Sequence, residues 1–387
     1  MGRHFSHLNT AVKIIGQYDG FLPFNNFIKV FFSKEKKYGS KDRKQIATLC
    51  YAFFRSGHLL KKDDISEKII ASVFLLEQGE SDFLAEIKPE WYAQLGSSMQ
   101  DKLSVLAKTT DQIFPFIKDL SPEIESDLFV ASFFIQPSLF LRVRPGKNGE
   151  VELKLNAAAI PFVILNEECL SLPNSTKAEA LLKINEEVVI QDFNSQKVLD
   201  YLKPLGEERK EMISAWDCCA ASGGKSILLF DRLRGKLRLT VTDIRETILS
   251  RLHTRLHNAG IKIENSYLTD LTQSSLPAPD TFDIIICDVP CTGSGTWART
   301  PEQMYYFKRS KISIYAVMQK QIIANSIASL KKDSLFFYIT CSVFLEENEQ
   351  QVSFIKENFS IKLVHQEYLK GYQEKADTLF VAVFKSI

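Results

Sequence analysis

The chain has 387 residues, enough for two or three domains, and its 48 Lys and Arg against 47 Asp and Glu leave a net charge of +1 that selects no partner. Seven cysteines without regular spacing argue against a disulfide framework, and six scattered histidines argue against a paired zinc site. The opening Met1-Gly2-Arg3-His4-Phe5 lacks an apolar signal core, and no run reaches the ~18 apolar residues of a membrane span. A cytoplasmic monomer without metal or membrane contacts is expected.

Residues 1–125 read as helical. Apolar positions recur at helical spacing in Phe27-Ile28-Val30-Phe31-Phe32, in Ile46-Leu49-Cys50-Phe53-Phe54 and in Ile69-Ile70-Val73-Phe74-Leu75. Between the first two lies Tyr38-Gly39-Ser40-Lys41-Asp42-Arg43, where Ser40 is placed to cap the next helix. Charge is uneven here. Residues 1–62 hold 12 Lys or Arg against 3 acids, a net of +9, and residues 63–90 hold 8 acids against 2 Lys, a net of −6. A basic block of that density suits a polyanion, although a solvated helix face carries the same composition.

The composition then shifts. Leu139–Val143 reads as a strand, Pro145-Gly146 as a turn and 150–159 as a helix, so 126–190 is expected to be a small α+β module. From 191 onward, strands and helices alternate. Strands are predicted at 213–217, 237–243, 261–267, 282–288, 334–340, 361–365 and 378–384, with helices near 225–233, 247–259, 312–330 and 346–357. Such alternation implies an α/β domain with a doubly wound, largely parallel sheet. The last two strands leave no room for a helix between them, so an antiparallel pair is expected at the edge.

The first of these strands runs into Asp217-Cys218-Cys219-Ala220-Ala221-Ser222-Gly223-Gly224-Lys225-Ser226 and then a helix. Small residues let backbone approach a ligand, and a helix amino end favours anionic or polar groups. A phosphate-binding loop would need glycine where Cys219 stands, and Gly-x-Gly-x-x-Gly is absent, so neither motif applies. A nucleoside-type cofactor site remains, with Asp243 at the end of the second strand in the place that grips ribose hydroxyls. A helix N-cap is the alternative role for Asp243.

Two cysteines, 50 residues apart, follow strands directly. Cys291 sits in Asp288-Val289-Pro290-Cys291-Thr292-Gly293, and Cys341 in Thr340-Cys341-Ser342. Open α/β sheets bind ligands at the carboxyl ends of their strands, where a thiol can act as a nucleophile. One buried cysteine is an ordinary small hydrophobe. Two at strand ends of one sheet, with a glycine-rich loop upstream, point to chemistry.

These residues resemble the Sun/Fmu family of RNA cytosine-5 methyltransferases, in particular its RsmB-like 16S rRNA branch. The family's Asp-x-Cys-Ala-Ala-Pro-Gly-Gly-Lys-Thr stands here at Asp217 to Ser226, with Ser222 for proline and Ser226 for threonine. Its Asp-Ala-Pro-Cys-Ser-Gly is similar to Asp288 to Gly293, followed by Gly295 and Arg299-Thr300-Pro301. Its Thr-Cys-Ser and Glu-Asn-Glu are similar to Thr340-Cys341-Ser342 and Glu347-Asn348-Glu349. A weaker match runs from Ile190 to Gln196, and 1–125 is similar to the family's NusB-like RNA-binding domain. Two departures touch target contacts: Asp377-Thr378-Leu379-Phe380 for Asp-Gly-Phe-Phe, and Arg142-Val143-Arg144 for Arg-Val-Asn.

The resemblance implies a class I, Rossmann-like methyltransferase domain at 191–387, after a NusB-like helical domain and the small module. It implies S-adenosylmethionine held by Cys219, Ala220, Ala221, Ser222, Gly223, Gly224, Lys225, Asp243, Asp270 and Asp288. Carbon-5 of cytosine is a weak nucleophile until a thiolate adds at carbon-6, and the family gives that role to the cysteine matching Cys341. Asp288 would then hydrogen-bond ring nitrogen 3, Lys225 would assist, and Cys291 would serve release of the product. RNA, above all small-subunit rRNA, is the expected partner. Lys29, Lys34, Lys36, Lys37, Lys41, Arg43, Lys44 and Arg299 are the candidate contacts. A tRNA methyltransferase, an RNA-binding assembly factor with little activity and a small-molecule methyltransferase are the competing readings.

Overall fold

The computed structural model describes residues 2–60, 64–202, 211–276 and 281–387. It divides into two compact units: Met1–Leu120, Ile124–Gln136 and Thr296–Arg309 in one, and Ser121–Glu123, Pro137–Gly295 and Ser310–Ile387 in the other. Among the described residues no helix is long and apolar enough to cross a membrane.

The first unit is all-α. Its longer helices are α1 (Arg3–Gln17), α2 (Phe24–Lys34), α3 (Ser40–Arg55) and α4 (Ile65–Leu76). α1, α2 and α3 each turn one stripe inward, α4 is buried on all sides from Lys68 to Leu75, and Phe24, Phe54 and Phe74 share one core. The cap expected at Ser40 is displaced by one residue: Gly39 is the N-cap and Ser40 opens α3. Asp42 accounts for the shift, since its carboxylate accepts the Gly39 N–H at 3.3 Å and also pairs with Arg3 and His7. Segment 296–309 supplies Tyr305 and Tyr306 to this core. The buried Lys68 donates to the Gly57 carbonyl at 2.6 Å and lies over the Phe53 and Tyr305 rings.

The second unit holds two sheets. The smaller has the order β2-β3-β1-β4, built from β1 (Leu139–Val143), β2 (Val163–Asn166), β3 (Cys169–Leu172) and β4 (Val188–Ile190). Two arginines of β1 and its turn fasten it to the larger layer. Arg142, almost wholly buried, and Arg144 both hold Asp231 on the helix Gly224–Arg232, at 2.5 and 2.7 Å. The departure at Arg142-Val143-Arg144 therefore has a structural use here.

The larger sheet has the order β10-β11-β9-β8-β5-β6-β7. Its strands are β5 (Ile213–Asp217), β6 (Leu237–Asp243), β7 (Ile263–Leu268), β8 (Phe282–Asp288), β9 (Leu330–Thr340), β10 (Ile361–Leu369) and β11 (Leu379–Ser386). β7, β6, β5, β8 and β9 run parallel, and β11 is antiparallel to both β9 and β10. This is an α/β, doubly wound, Rossmann-like architecture. The antiparallel pair does lie at one edge, but the final strand enters the sheet between β9 and β10. Its unbroken run Leu379–Phe384 is buried throughout, as in a strand whose sheet is covered on both faces.

Candidate active site

The loop after β5 is shaped by two left-handed residues, Ala221 at φ 46° and Gly223 at φ 80°. A Cβ on Gly223 would stand 3.3 Å from Leu252 and 3.4 Å from Leu256, so glycine also lets the helix Glu246–Asn258 pack closely. Backbone bonds fix the loop to its neighbours: Cys218 N–H donates to Ile286 at 3.0 Å, and Ala220 N–H to Thr242 at 2.9 Å. Asp243, buried at the end of β6, accepts the Ala221 N–H at 3.1 Å and pairs with Arg245 at 3.0 Å. It is not the N-cap of the helix Glu246–Asn258, a position that Arg245 holds. Ser222 accepts a bond from Arg255 at 2.8 Å. Asp270 is bound within its own turn, to Thr272 N–H and hydroxyl.

Charges gather where β5 and β8 end. Lys225, first turn of the helix after the loop, forms an ion pair with Asp288 at the end of β8. Burial works against the Lys225 charge, but the Asp288 carboxylate outweighs it and lifts the ammonium above its ordinary range, with a smaller contribution from Cys341. Asp217, fully buried beneath the loop, accepts the Ser226 hydroxyl at 2.6 Å, while its other oxygen finds no partner among the described residues. Burial pushes its carboxyl up to about 7.

The two strand-end cysteines meet, with sulfurs 3.3 Å apart. Their closeness follows from adjacency of the parallel strands β8 and β9, whose registers pair Asp288 with Ile339. A hydrogen bond with Cys341, then burial, pushes the Cys291 thiol well up. One buried carboxylate ties both loops together. Glu347 accepts the Thr292 N–H at 2.9 Å and hydroxyl at 2.6 Å, the Gln319 amide at 3.0 Å and the Ser342 hydroxyl. Asn348 continues the network, accepting from Thr340 at 2.6 Å and donating to the Ser342 carbonyl at 2.8 Å. Gly295 closes it: a Cβ there would fall 2.0 Å from the Thr378 carbonyl.

Glu347 and Asn348 stood in a recognised motif, but their role as the tie between the two cysteine loops was not legible. Gln319 was missed altogether. Its signal is a glutamine in the apolar stripe Ile312, Ala316, Ile323 of one helix, and it also donates to the Pro290 carbonyl at 3.0 Å. Of the candidate RNA contacts, Lys29, Lys34, Lys36, Lys37, Lys41 and Lys44 are exposed. Arg43 is half-buried and donates to the Tyr38 carbonyl at 2.8 Å. Arg299 belongs to the helical unit.

A glycine-rich loop, a Lys–Asp pair and a thiol pair thus lie at the carboxyl ends of strands in one doubly wound sheet. Residues 201–382 match the model of the family described as 16S rRNA methyltransferase RsmB/F. The ribosomal RNA small subunit methyltransferase B of Enterobacter sp. (strain 638) is 30% identical over 166 residues, 43% of this chain and 37% of that protein. The chain thus spans well under half the length of that curated relative. Among solved structures, a methyltransferase homolog protein from Pyrococcus horikoshii superposes at TM-score 0.59 with 20% identity, covering 75% of this chain and 99% of its own. NSun6 from Pyrococcus horikoshii with SFG does so at TM-score 0.59 and 14% identity, covering 70% and 97%. At these identities the two structures speak for the fold alone.

Proposed function

We propose that the protein methylates carbon-5 of a cytosine in structured RNA, small-subunit rRNA above all, using S-adenosylmethionine. The observation that carries this reading is the thiol pair, 3.3 Å apart, beside the Lys225–Asp288 ion pair. The cofactor loop fits the donor: small residues and two left-handed positions hold its backbone open, and Asp243 closes it from the neighbouring strand end. The SFG in the NSun6 structure, an analogue of S-adenosylmethionine, supports the same reading. Cys219 to Lys225, Asp243, Asp270 and Asp288 would hold the donor, which supplies an electrophilic methyl group when bound.

The chain's own residues do the rest. Cys341 gives up its proton and its sulfur adds to carbon-6 of the base, which makes carbon-5 nucleophilic. Lys225 places a lasting positive charge near that sulfur, facing the negative charge that develops in the attack. Asp288 hydrogen-bonds ring nitrogen 3 as charge develops there. After methyl transfer the carbon-5 proton must pass to a base while the bond from carbon-6 to the Cys341 sulfur breaks, and Cys291, 3.3 Å from that sulfur, is placed to serve this release. The target base must leave its stack to meet the thiols. The exposed lysines of the helical unit, which we read as NusB-like, with Arg43 and Arg299, hold RNA phosphates. The division into 1–125, 126–190 and 191–387 is proposed as the functional layout.

The test is methylation of rRNA and tRNA by the purified protein with S-adenosylmethionine, read by bisulfite sequencing. New protected cytosines in 16S rRNA are expected. Protection confined to tRNA would transfer the substrate, and none in either would leave an RNA-binding assembly factor.

A further inference from the structure

The turn before α2 takes no part in the site above, yet it is built with care. Phe21 is 87% exposed, the largest value among the described large apolar side chains. The backbone on both sides of it is fastened. Gly20 stands at φ +80°, and a Cβ there would lie 2.6 Å from the Tyr306 ring. The Tyr306 hydroxyl donates to the Tyr18 carbonyl at 2.7 Å, the Tyr18 hydroxyl to the Leu22 carbonyl at 2.6 Å, and Phe21 N–H to the Asp19 carboxylate at 3.0 Å. The ring itself is left in water, at the cost that apolar exposure carries.

The helix that follows extends this surface. α2 buries Phe24, Ile28, Phe31 and Phe32, which turns Asn25, Asn26, Lys29 and Lys34 to solvent. It has no acidic residue, and among the described residues Lys29 and Lys34 form no ion pair. An aromatic ring held out ahead of a helix that carries unneutralised cations suits a nucleic acid strand better than an apolar protein face, which would bury those charges at a loss.

We propose that this surface takes a single-stranded RNA segment. Phe21 stacks on an unpaired base, Asn25 and Asn26 meet polar edges, and Lys29 and Lys34 contact the flanking phosphates. The proposal rests on the RNA substrate argued above and adds to it a place where unpaired nucleotides are gripped.

The test uses the full chain with Phe21→Trp and single-stranded and fully duplex oligoribonucleotides of one sequence. Single strands should quench the added tryptophan beyond the wild-type change, and duplex should not. Phe21→Ala should weaken single-strand binding by about 10-fold. Lys29→Gln with Lys34→Gln should reduce the salt slope by roughly 1.4. An unquenched tryptophan with unchanged Phe21→Ala affinity would overturn the proposal and leave a protein partner as the use of the ring. Because binding is read and not methylation, a chain that grips single strands through Phe21 but methylates nothing would sink only the enzymatic reading. One that methylates with Phe21 indifferent would sink only this one.

Discussion

Around Cys291 and Cys341 the polar side chains are buried and paired with one another, whereas the candidate RNA-binding lysines of the amino-terminal helices stand in solvent. Glu347, Asn348, Gln319 and Ser342 are each fully buried and each satisfied within one network. Lys37, by contrast, faces Glu35 at 3.9 Å with two-thirds of its side chain exposed. Covalent chemistry needs atoms held to fractions of an ångström, which buried hydrogen bonds achieve. Phosphate attraction needs only charge within a Debye length, and mobile side chains supply it.

The sharpest break of this contrast is at the sulfurs. Cys341→Ala should abolish methylation and form no adduct, because the thiol that adds to carbon-6 is gone. Cys291→Ala should accumulate a protein–RNA adduct that survives denaturing electrophoresis. The reverse pattern would exchange the two roles.

Next comes the tie between the loops. Glu347→Ala leaves Thr292, Gln319 and Ser342 without their acceptor in a buried site, so urea denaturation should show a loss of about 3–5 kcal/mol. An unchanged midpoint would mean that the network holds no loop in place.

A smaller effect lies in pH. The Asp217 carboxyl ordinarily titrates at 3.8 and is raised to about 7 in the fold by burial. Between those values the native state keeps a proton that the unfolded chain has lost. This group's contribution to stability is therefore full below about pH 4 and falls as pH rises to 7. Asp217→Asn should flatten that fall in stability measured from pH 4 to 7. A wild-type profile that is already flat there would remove the buried carboxyl from consideration.

The smallest effect belongs to the solvated side. Lys36→Gln, Lys37→Gln and Lys41→Gln together should leave folding unchanged, within about 0.5 kcal/mol, while weakening RNA binding and its salt dependence. If RNA affinity and slope both hold, these lysines are only a soluble helix face.

Much of the α/β half was legible because its signals are local. Strands at 213–217, 237–243 and 282–288 appear with those limits, since each apolar run is bounded by polar or turn residues. Other ends moved by a few residues: β10 continues to Leu369, four beyond 365, because hairpin pairing with β11 sustains a strand of mixed polarity. In the helical half, the apolar spacing showed helices, but the cap at Gly39 depended on where the Asp42 carboxylate reached.

By itself the sequence determined the alternation of strands and helices, the loop from Asp217 to Ser226 and the two cysteines at strand ends, since periodicity and short motifs are written in neighbouring residues. Only the tertiary structure decided that β11 lies between β9 and β10, that segment 296–309 packs into the helical unit, and that Cys291 and Cys341 touch with Glu347 joining their loops. Those facts depend on strand order and on contacts between residues tens to hundreds of positions apart, which no local pattern encodes.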